Sequence, residues 1–303
     1  MPIEVFGPGY QFLPKEEILT FDELVRTVRA SVSLGVTKVR LTGGEPLLRR
    51  NAEDLVAMIA AVPGVKDLAM TTNGILLNHQ AGPMKAAGLD RVTVSLDALN
   101  AEVFAKMNGV GAKLERVLLG IRSAQEVGLP VKVNMVVQRG VNEQEILPMV
   151  EWCREAGITL RMIEFMDVGE TNGWETKHVV TADEILALVE KSFPLEAVAP
   201  DYPGEVAKRW SFADGRGEIG IISSVSQPFC GDCSRLRVSA EGKVFTCLFA
   251  AKGADLRHCL RTADSDEEIV NFLKGLWGHR SDRYSEERGE VKKAKAEMSY
   301  LGG

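Results

Sequence analysis

Apolar positions along this chain follow two rhythms: a period near 3.6 residues that marks helices, and β-branched alternation that marks short strands. Thr20-Phe21-Asp22-Glu23 opens the first helical pattern, which runs to about Leu34, with Thr20 as N-cap and Glu23 completing a capping box. Strands are predicted near 38–42, 67–71, 91–95, 131–137 and 159–165, separated by helical patterns near 52–61, 79–88, 112–127 and 143–156. Strands alternating with helices imply right-handed βαβ units and a parallel sheet. A spacing of about 30 residues per unit fits a closed or partly closed β/α barrel, with an open doubly wound sheet as the runner-up.

The alternation stops near Phe165. Residues 167–180 read as a long loop, 182–192 as a helix and 196–218 as a Pro/Gly-containing stretch with little periodicity. From Glu218 a strand leads into a cysteine-bearing segment, and a charged helical region ends in Gly302-Gly303. The expected division is 1–200 for the β/α region and 201–303 for a C-terminal region. Met1 to Leu13, rich in Gly, Pro and aromatics, reads as a loop.

Composition narrows the function classes. At 303 residues and 45% hydrophobic, the chain can bury a sizeable core. No apolar run approaches the ~18 residues of a membrane span, and Met1-Pro2-Ile3-Glu4 is no secretory signal. Five cysteines do not suggest a disulfide framework, so a reducing cytoplasm is expected. A net charge of −6 argues against a general nucleic-acid or anionic-membrane binder, so an anionic ligand must be met by a local cluster of cations.

Cys230-x-x-Cys233 is a spacing that lets two thiolates reach one metal from a tight turn. Arg235–Val238 and Lys243–Cys247 alternate on either side of Ala240-Glu241-Gly242 and read as a β-hairpin. If Val238 pairs with Lys243, Cys247 returns beside the Cys-x-x-Cys turn, so three thiolates converge on one centre. Three cysteines without an evident fourth ligand favour an iron–sulfur cubane with one open iron. The alternative is a structural zinc completed by His258 or Cys259. Cys153, beside Trp152 in a helical pattern, reads as a packed core thiol.

The predicted strands also carry Arg40, Lys132 and Arg161, cations that are expensive to bury unpaired. Alternation puts Arg40, Thr42 and Gly44 on one face, and Lys132 and Asn134 on one face. Strand ends in a β/α barrel face the ligand. There the chain reads Thr42-Gly43-Gly44-Glu45-Pro46, Thr71-Thr72-Asn73-Gly74, Ser95-Leu96-Asp97 and Glu164-Phe165-Met166, which suits a pocket. Arg235 and Arg237 share a hairpin face beside the metal, and with Arg40 and Lys132 they could bind a polyphosphate. Taken singly, each feature has a plainer reading: Gly-Gly-Glu-Pro as a turn, Arg40 or Lys132 paired to Glu45 or Glu164, Met166 in a core.

These motifs together resemble the GTP 3′,8-cyclases, radical S-adenosylmethionine enzymes of molybdenum cofactor biosynthesis. The resemblance rests on Thr42–Pro46, Cys230-Gly231-Asp232-Cys233-Ser234-Arg235-Leu236-Arg237, Cys247, Lys38–Leu41, Thr71–Gly74, Val94–Asp97, Lys132-Val133-Asn134 and the terminal Gly302-Gly303, and spans essentially the whole chain. It implies a radical S-adenosylmethionine barrel with Gly44, Ser95 and Met166 contacting S-adenosylmethionine. Arg40, Thr71, Lys132, Arg235, Leu236 and Arg237 would hold GTP, while Cys230, Cys233 and Cys247 would carry a C-terminal 4Fe–4S cluster. Gly302 and Gly303 would enter the barrel and serve catalysis. An electron donor and a downstream cyclic pyranopterin monophosphate synthase are the implied partners, with homodimerisation left open.

One motif of the family is not found here. Its first barrel strand is followed by Cys-x-x-x-Cys-x-x-Cys, which holds the 4Fe–4S cluster that reduces S-adenosylmethionine, and these 303 residues contain no such run. The opening, Met1-Pro2 and then Phe6-Gly7-Pro8-Gly9, resembles the stretch after the third cysteine. The expectation is an incomplete barrel lacking its first strand, inactive alone. Two other classes stand beside the cyclase: a GTP- and metal-binding protein without catalysis, and a peptide maturase with an auxiliary cluster, which calls for further cysteines.

Overall fold

The computed structural model describes residues 13–109, 111–169, 173–288, 295–296 and 300. Five strands lie where alternation places them: β1 (Lys38–Leu41), β2 (Asp67–Thr72), β3 (Arg91–Ser95), β4 (Val131–Val137) and β5 (Thr159–Glu164). The helices α1 (Phe21–Ser33), α2 (Ala52–Ala60), α3 (Leu77–Ala86), α4 (Ala101–Asn108), α5 (Leu114–Glu126), α6 (Ile146–Glu155) and α7 (Ala182–Glu190) intervene or follow. The Thr20–Glu23 capping box on α1 is formed, with Thr20 N–H donating to Glu23 at 2.7 Å.

Strands β1 to β5 pair in sequence and in parallel, and β8 (Glu218–Ile222) adds in parallel beside β5. A sheet wound in one direction by right-handed crossovers puts its helices on one face, which is the barrel arrangement rather than the doubly wound one. Its helix-facing side chains, among them Met70, Val94, Val133, Leu160 and Ile221, are buried in one large core. Burying each is worth roughly 1.5–3 kcal/mol. Helix α5 packs so close to the turn that leads into α3 that a Cβ on Gly120 would lie 2.2 Å from the Gly74 carbonyl oxygen and 3.0 Å from Leu77 Cβ.

Three features differ from the pattern-based expectation. Helix α4 stands where none is predicted; Asn100 caps it, its Oδ1 accepting from Glu102 and Val103 N–H. The stretch 196–218 contains β6 (Leu195–Val198) and β7 (Lys208–Phe212), which pair antiparallel and extend the sheet from β8. Their outer residues are exposed, so the apolar periodicity that announces a buried strand is missing. The sheet therefore runs across residue 200. Among the described residues it does not close: β1 and β6 are its edges. It curves enough for Lys38 of β1 to donate to Tyr202 Oη, beyond β6, at 3.0 Å.

A smaller antiparallel sheet joins β9 (Arg237–Val238), β10 (Lys243–Phe245) and β11 (Ala254–Asp255). Together with α8 (Leu256–Thr262) and α9 (Asp266–Gly278) it builds a second core from Leu19, Ala30, Val244, Leu256, Leu260, Ile269 and Leu273. Leu19 and Ala30 belong to the N-terminal part, so α1 is shared between both cores. Arg26 to Asp266 at 2.9 Å and Arg261 to Glu23 at 2.7 Å tie the same surfaces.

Candidate functional site

The face of the sheet away from the helices is polar. Parallel pairing aligns Thr71, Thr93, Lys132 and Thr159 in one row, and Asn134, Arg161 and Gly220 in the next. Arg40 reaches across this face to Thr71 Oγ1 at 2.8 Å and Thr93 Oγ1 at 3.4 Å. Glu45 and Glu164, the carboxylates sequence offered as partners for Arg40 and Lys132, are used elsewhere. Glu45 accepts from Thr72 Oγ1 at 2.7 Å and from the N–H groups of Asn73 and Leu47, which ties the ends of β1 and β2 together. Its burial raises its pKa, with Asn73 N–H opposing. Buried Glu164 accepts from Ala182, Val225 and Ser226 N–H and from the Ser226 hydroxyl.

Arg40, Lys132 and Arg161 therefore make no salt bridge among the described residues. Burial lowers the pKa of all three, repulsion from Arg91 adds to it in each case, and Arg161 further lowers those of Arg40 and Lys132. Arg40 falls to about 10 and Lys132 to about 8, the latter held up in part by Glu218. At the strands' beginnings the cations are paired instead: Arg91 grips Asp67 at 2.7 and 2.9 Å, and Arg209 meets Glu218 at 2.7 Å. Asn134 Oδ1 is buried with no partner. The three cations make a positive interior surface with no salt-bridge partner among the described residues, which an anion would complete, and Asn134 Oδ1 is an acceptor open to a donor group on the same ligand.

At the strand ends, Gly44 and Ser95 are exposed and Met166 is half-buried. Gly43 takes φ +143°, in the region that favours glycine. These three candidate positions follow β1, end β3 and follow β5.

The cysteine hairpin is formed one residue out of the expected register, with Val238 opposite Val244 rather than Lys243. The reason is the turn: Ser239 N–H donates to Lys243 O and Gly242, at φ +80°, closes it. Cys233 N–H donates to Cys230 O at 3.3 Å in the Cys-x-x-Cys turn. Arg235 donates to Cys233 Sγ at 3.3 Å, and Phe249 N–H to Cys247 Sγ at 3.4 Å. Burial works against ionisation of Cys233, but Arg235 and then Arg280 carry its pKa below the ordinary thiol value. Burial raises that of Cys247, which also feels Cys230. Arg237 feels both Cys233 and Cys247, and burial beside Arg235 brings it to about 10. The three thiols thus share one neighbourhood, although among the described residues no three His, Cys, Asp or Glu side chains are already placed as a ligand set. Arg235 Nε and one Arg237 guanidinium nitrogen are buried there with no hydrogen-bond acceptor among the described residues, whereas Arg280 Nε has Asp282 at 3.7 Å. Three thiolates and an anionic cluster would supply that missing negative charge, so the donor set fits an iron–sulfur group.

Cys259 packs instead against the second core, and Cys153 is buried in α6, where burial raises its pKa. Gly302 and Gly303 lie outside the described residues. Sequence reasoning did not single out Arg91, Asp67, Arg209, Glu218 or Arg280. A charged residue opening a strand was the only signal for Arg91 and Asp67.

Comparison with known proteins shows the family. A family model described as Radical SAM superfamily matches residues 6–153, and one described as Molybdenum Cofactor Synthesis C matches residues 158–286. The chain is 49% identical to a GTP 3′,8-cyclase of Xanthomonas axonopodis pv. citri and 47% identical to that of Acidothermus cellulolyticus, in each case over all of this chain and 91% of the relative. The chain belongs to the GTP 3′,8-cyclase family. The cyclase of Staphylococcus aureus is 44% identical over the same shares. This family member also shares its fold with solved structures at low identity. Streptococcus suis SuiB bound to S-adenosylmethionine matches with TM-score 0.62 and 13% identity, over 91% of this chain and 64% of SuiB. Native anSMEcpe with bound AdoMet and a Cp18Cys peptide matches with TM-score 0.53 and 14% identity, over 86% and 76%. The two family models meet between α6 and β5, inside the sheet of this cyclase-family chain. No described helix is long and apolar enough to cross a membrane.

Proposed function

We propose that this chain is a GTP 3′,8-cyclase, turning GTP into (8S)-3′,8-cyclo-7,8-dihydroguanosine 5′-triphosphate at the first step of molybdenum cofactor biosynthesis. The observation that carries this is the polar face of the sheet: Arg40, Lys132 and Arg161 make no salt bridge among the described residues, and the cysteine hairpin adds acceptor-poor Arg235 and Arg237. Arg40, Thr71 and Lys132 hold GTP from the sheet, and Arg235, Leu236 and Arg237 hold it from the hairpin. Gly44, Ser95 and Met166 face S-adenosylmethionine at the strand ends. Cys230, Cys233 and Cys247 ligate a 4Fe–4S cluster. When bound, S-adenosylmethionine and its reducing cluster would supply a carbon radical able to take the ribose 3′ hydrogen; bonding of that ribose carbon to guanine C8 would leave a radical on the base, which one electron from the external donor and one proton would convert to the dihydro product. The protein's own task is to fix the ribose against that radical and to keep water out. Gly302 and Gly303 are proposed to complete the channel. Residues 1–200 serve as the barrel part and 201–303 as the cluster-bearing part. An external electron donor and a downstream synthase that consumes the product complete the proposed cytoplasmic setting.

The five cysteines of these 303 residues do not form Cys-x-x-x-Cys-x-x-Cys, which favours a second reading of the polypeptide by itself as a GTP- and metal-binding form. The two are separated by experiment. Anaerobic reconstitution should yield brown protein with about four irons per chain. The 303-residue chain with S-adenosylmethionine, dithionite and GTP should release no 5′-deoxyadenosine, whereas a chain extended upstream by a strand and that motif should cyclise GTP. Colourless protein holding one zinc, or an extended chain that leaves GTP unchanged, would refute the proposal.

A further inference from the structure

One residue beyond Met166, the Asp167 carboxylate gathers three donors from the far end of the chain. Tyr284 Oη donates to Oδ2 at 2.7 Å, Lys295 Nζ to Oδ2 at 2.6 Å and Arg288 Nε to Oδ1 at 2.8 Å. Lys295 also donates to the Asp167 carbonyl at 2.9 Å. The side chains of Asp167, Arg288 and Lys295 are 9, 11 and 12% exposed, so two cations share one buried carboxylate. Burial opposes its ionisation, but the bonds from Lys295 and Tyr284 and the charge of Arg288 hold its pKa below the usual value.

The same three partners pack against the cysteine hairpin. Tyr284 stacks on Phe249 with ring centroids 4.5 Å apart, and Lys295 Nζ lies 4.6 Å from the Tyr284 ring and 5.8 Å from that of Phe249. Arg288 stands 5.6 Å from the Phe249 ring. Ala296 N–H donates to Ala250 O at 3.2 Å. Phe249 in turn aims its N–H at Cys247 Sγ. A continuous line of contacts therefore runs from the end of β5, through Asp167, Tyr284 and Lys295, to Phe249 and Cys247.

We propose that Asp167 is a positioning residue: it clamps Tyr284, Arg288 and Lys295 across the end of β5 and so fixes where Cys247 stands relative to Met166. Its consequence for catalysis rests on the roles given to Cys247 and Met166 above; the clamp itself does not. Without the carboxylate, two cations and a hydroxyl lose their shared acceptor in a buried place, and the Phe249 contact is released with them. A carboxylate that served stability alone would weaken the whole fold without singling out Cys247.

Asp167→Asn tests this, because it keeps the shape and removes the shared charge. In the unreconstituted 303-residue chain, mass spectrometry would follow alkylation of each cysteine and hydrogen exchange of peptides containing Tyr284 and Phe249. The variant should alkylate Cys247 roughly tenfold faster and exchange faster in those peptides, with the buried Cys153 unchanged and Asp167→Glu in between. Unchanged Cys247 alkylation in folded Asp167→Asn overturns the clamp, and so does equal acceleration at Cys153. If Asp167→Asn does not fold, Lys295→Met and Tyr284→Phe each remove one arm and carry the same comparison. GTP titration of reconstituted wild type is the separate arm: no GTP binding would defeat the functional reading while the alkylation result still decides the clamp.

Discussion

Lys132 offers a sharp test of the anion-binding channel, because its pKa of about 8 lies far below the ordinary lysine value of 10.5. Burial is the main cause, followed by Arg161, with Glu218 pulling the other way. A bound polyphosphate would favour the charged form and return the pKa toward its ordinary value. Affinity then falls as pH rises above 8, by at most about tenfold per pH unit, since the free protein must take up a proton to bind. Lys132 is only partly buried, and screening reduces this to about three- to fivefold between roughly pH 7.5 and pH 9. Calorimetry with inorganic triphosphate avoids titration of a base, and subtracting the Lys132→Met variant isolates the lysine. Its effect on the unliganded fold has the opposite sign. The unfolded chain binds more protons between about 8 and 10.5, so the wild-type-minus-variant stability should rise with pH across that window. A pH-independent difference in triphosphate affinity would refute the placement of Lys132 against an anion.

Other expectations follow from the same geometry. Arg235→Ala or Arg237→Ala should weaken GTP binding by about 1–3 kcal/mol while leaving guanosine little changed, as charge-assisted hydrogen bonds to phosphate require; equal affinity in calorimetry would count against the hairpin's role. Glu164→Ala removes the acceptor for three backbone N–H groups and a hydroxyl, and should cost about 3–5 kcal/mol in denaturant unfolding, with Glu164→Gln milder. Gly120→Ala would force α5 off the turn that leads into α3, since its Cβ meets the Gly74 carbonyl at 2.2 Å, and a loss above about 3 kcal/mol is expected; a neutral melt would contradict that packing.

Sequence periodicity located β1 to β5 and most of the helices, because a strand buried against helices on one side must be apolar at alternate positions. Chemistry was legible where residue types are expensive to misplace: three cysteines near a hairpin, and cations such as Arg40 and Lys132 inside strands. Strands β6 and β7 were not legible, since an exposed antiparallel pair needs no apolar rhythm. Nor was α4, a two-turn helix whose main local signal is its Asn100 cap.

The order of residues along the chain by itself determined the parallel winding, the alternation that puts Arg40 and Lys132 on the face away from the helices, and the set of thiols available near the hairpin. Local stereochemistry suffices for these, through handedness and period. Only the tertiary structure decided which charges are paired. Glu45 and Glu164 look like counter-ions in sequence, yet backbone N–H groups claim both, while Asp67 and Glu218 neutralise Arg91 and Arg209. Asp167 likewise finds partners 117 to 128 residues away. Pairing depends on distances of a few ångströms between segments remote in sequence, and the packing of both cores sets those distances.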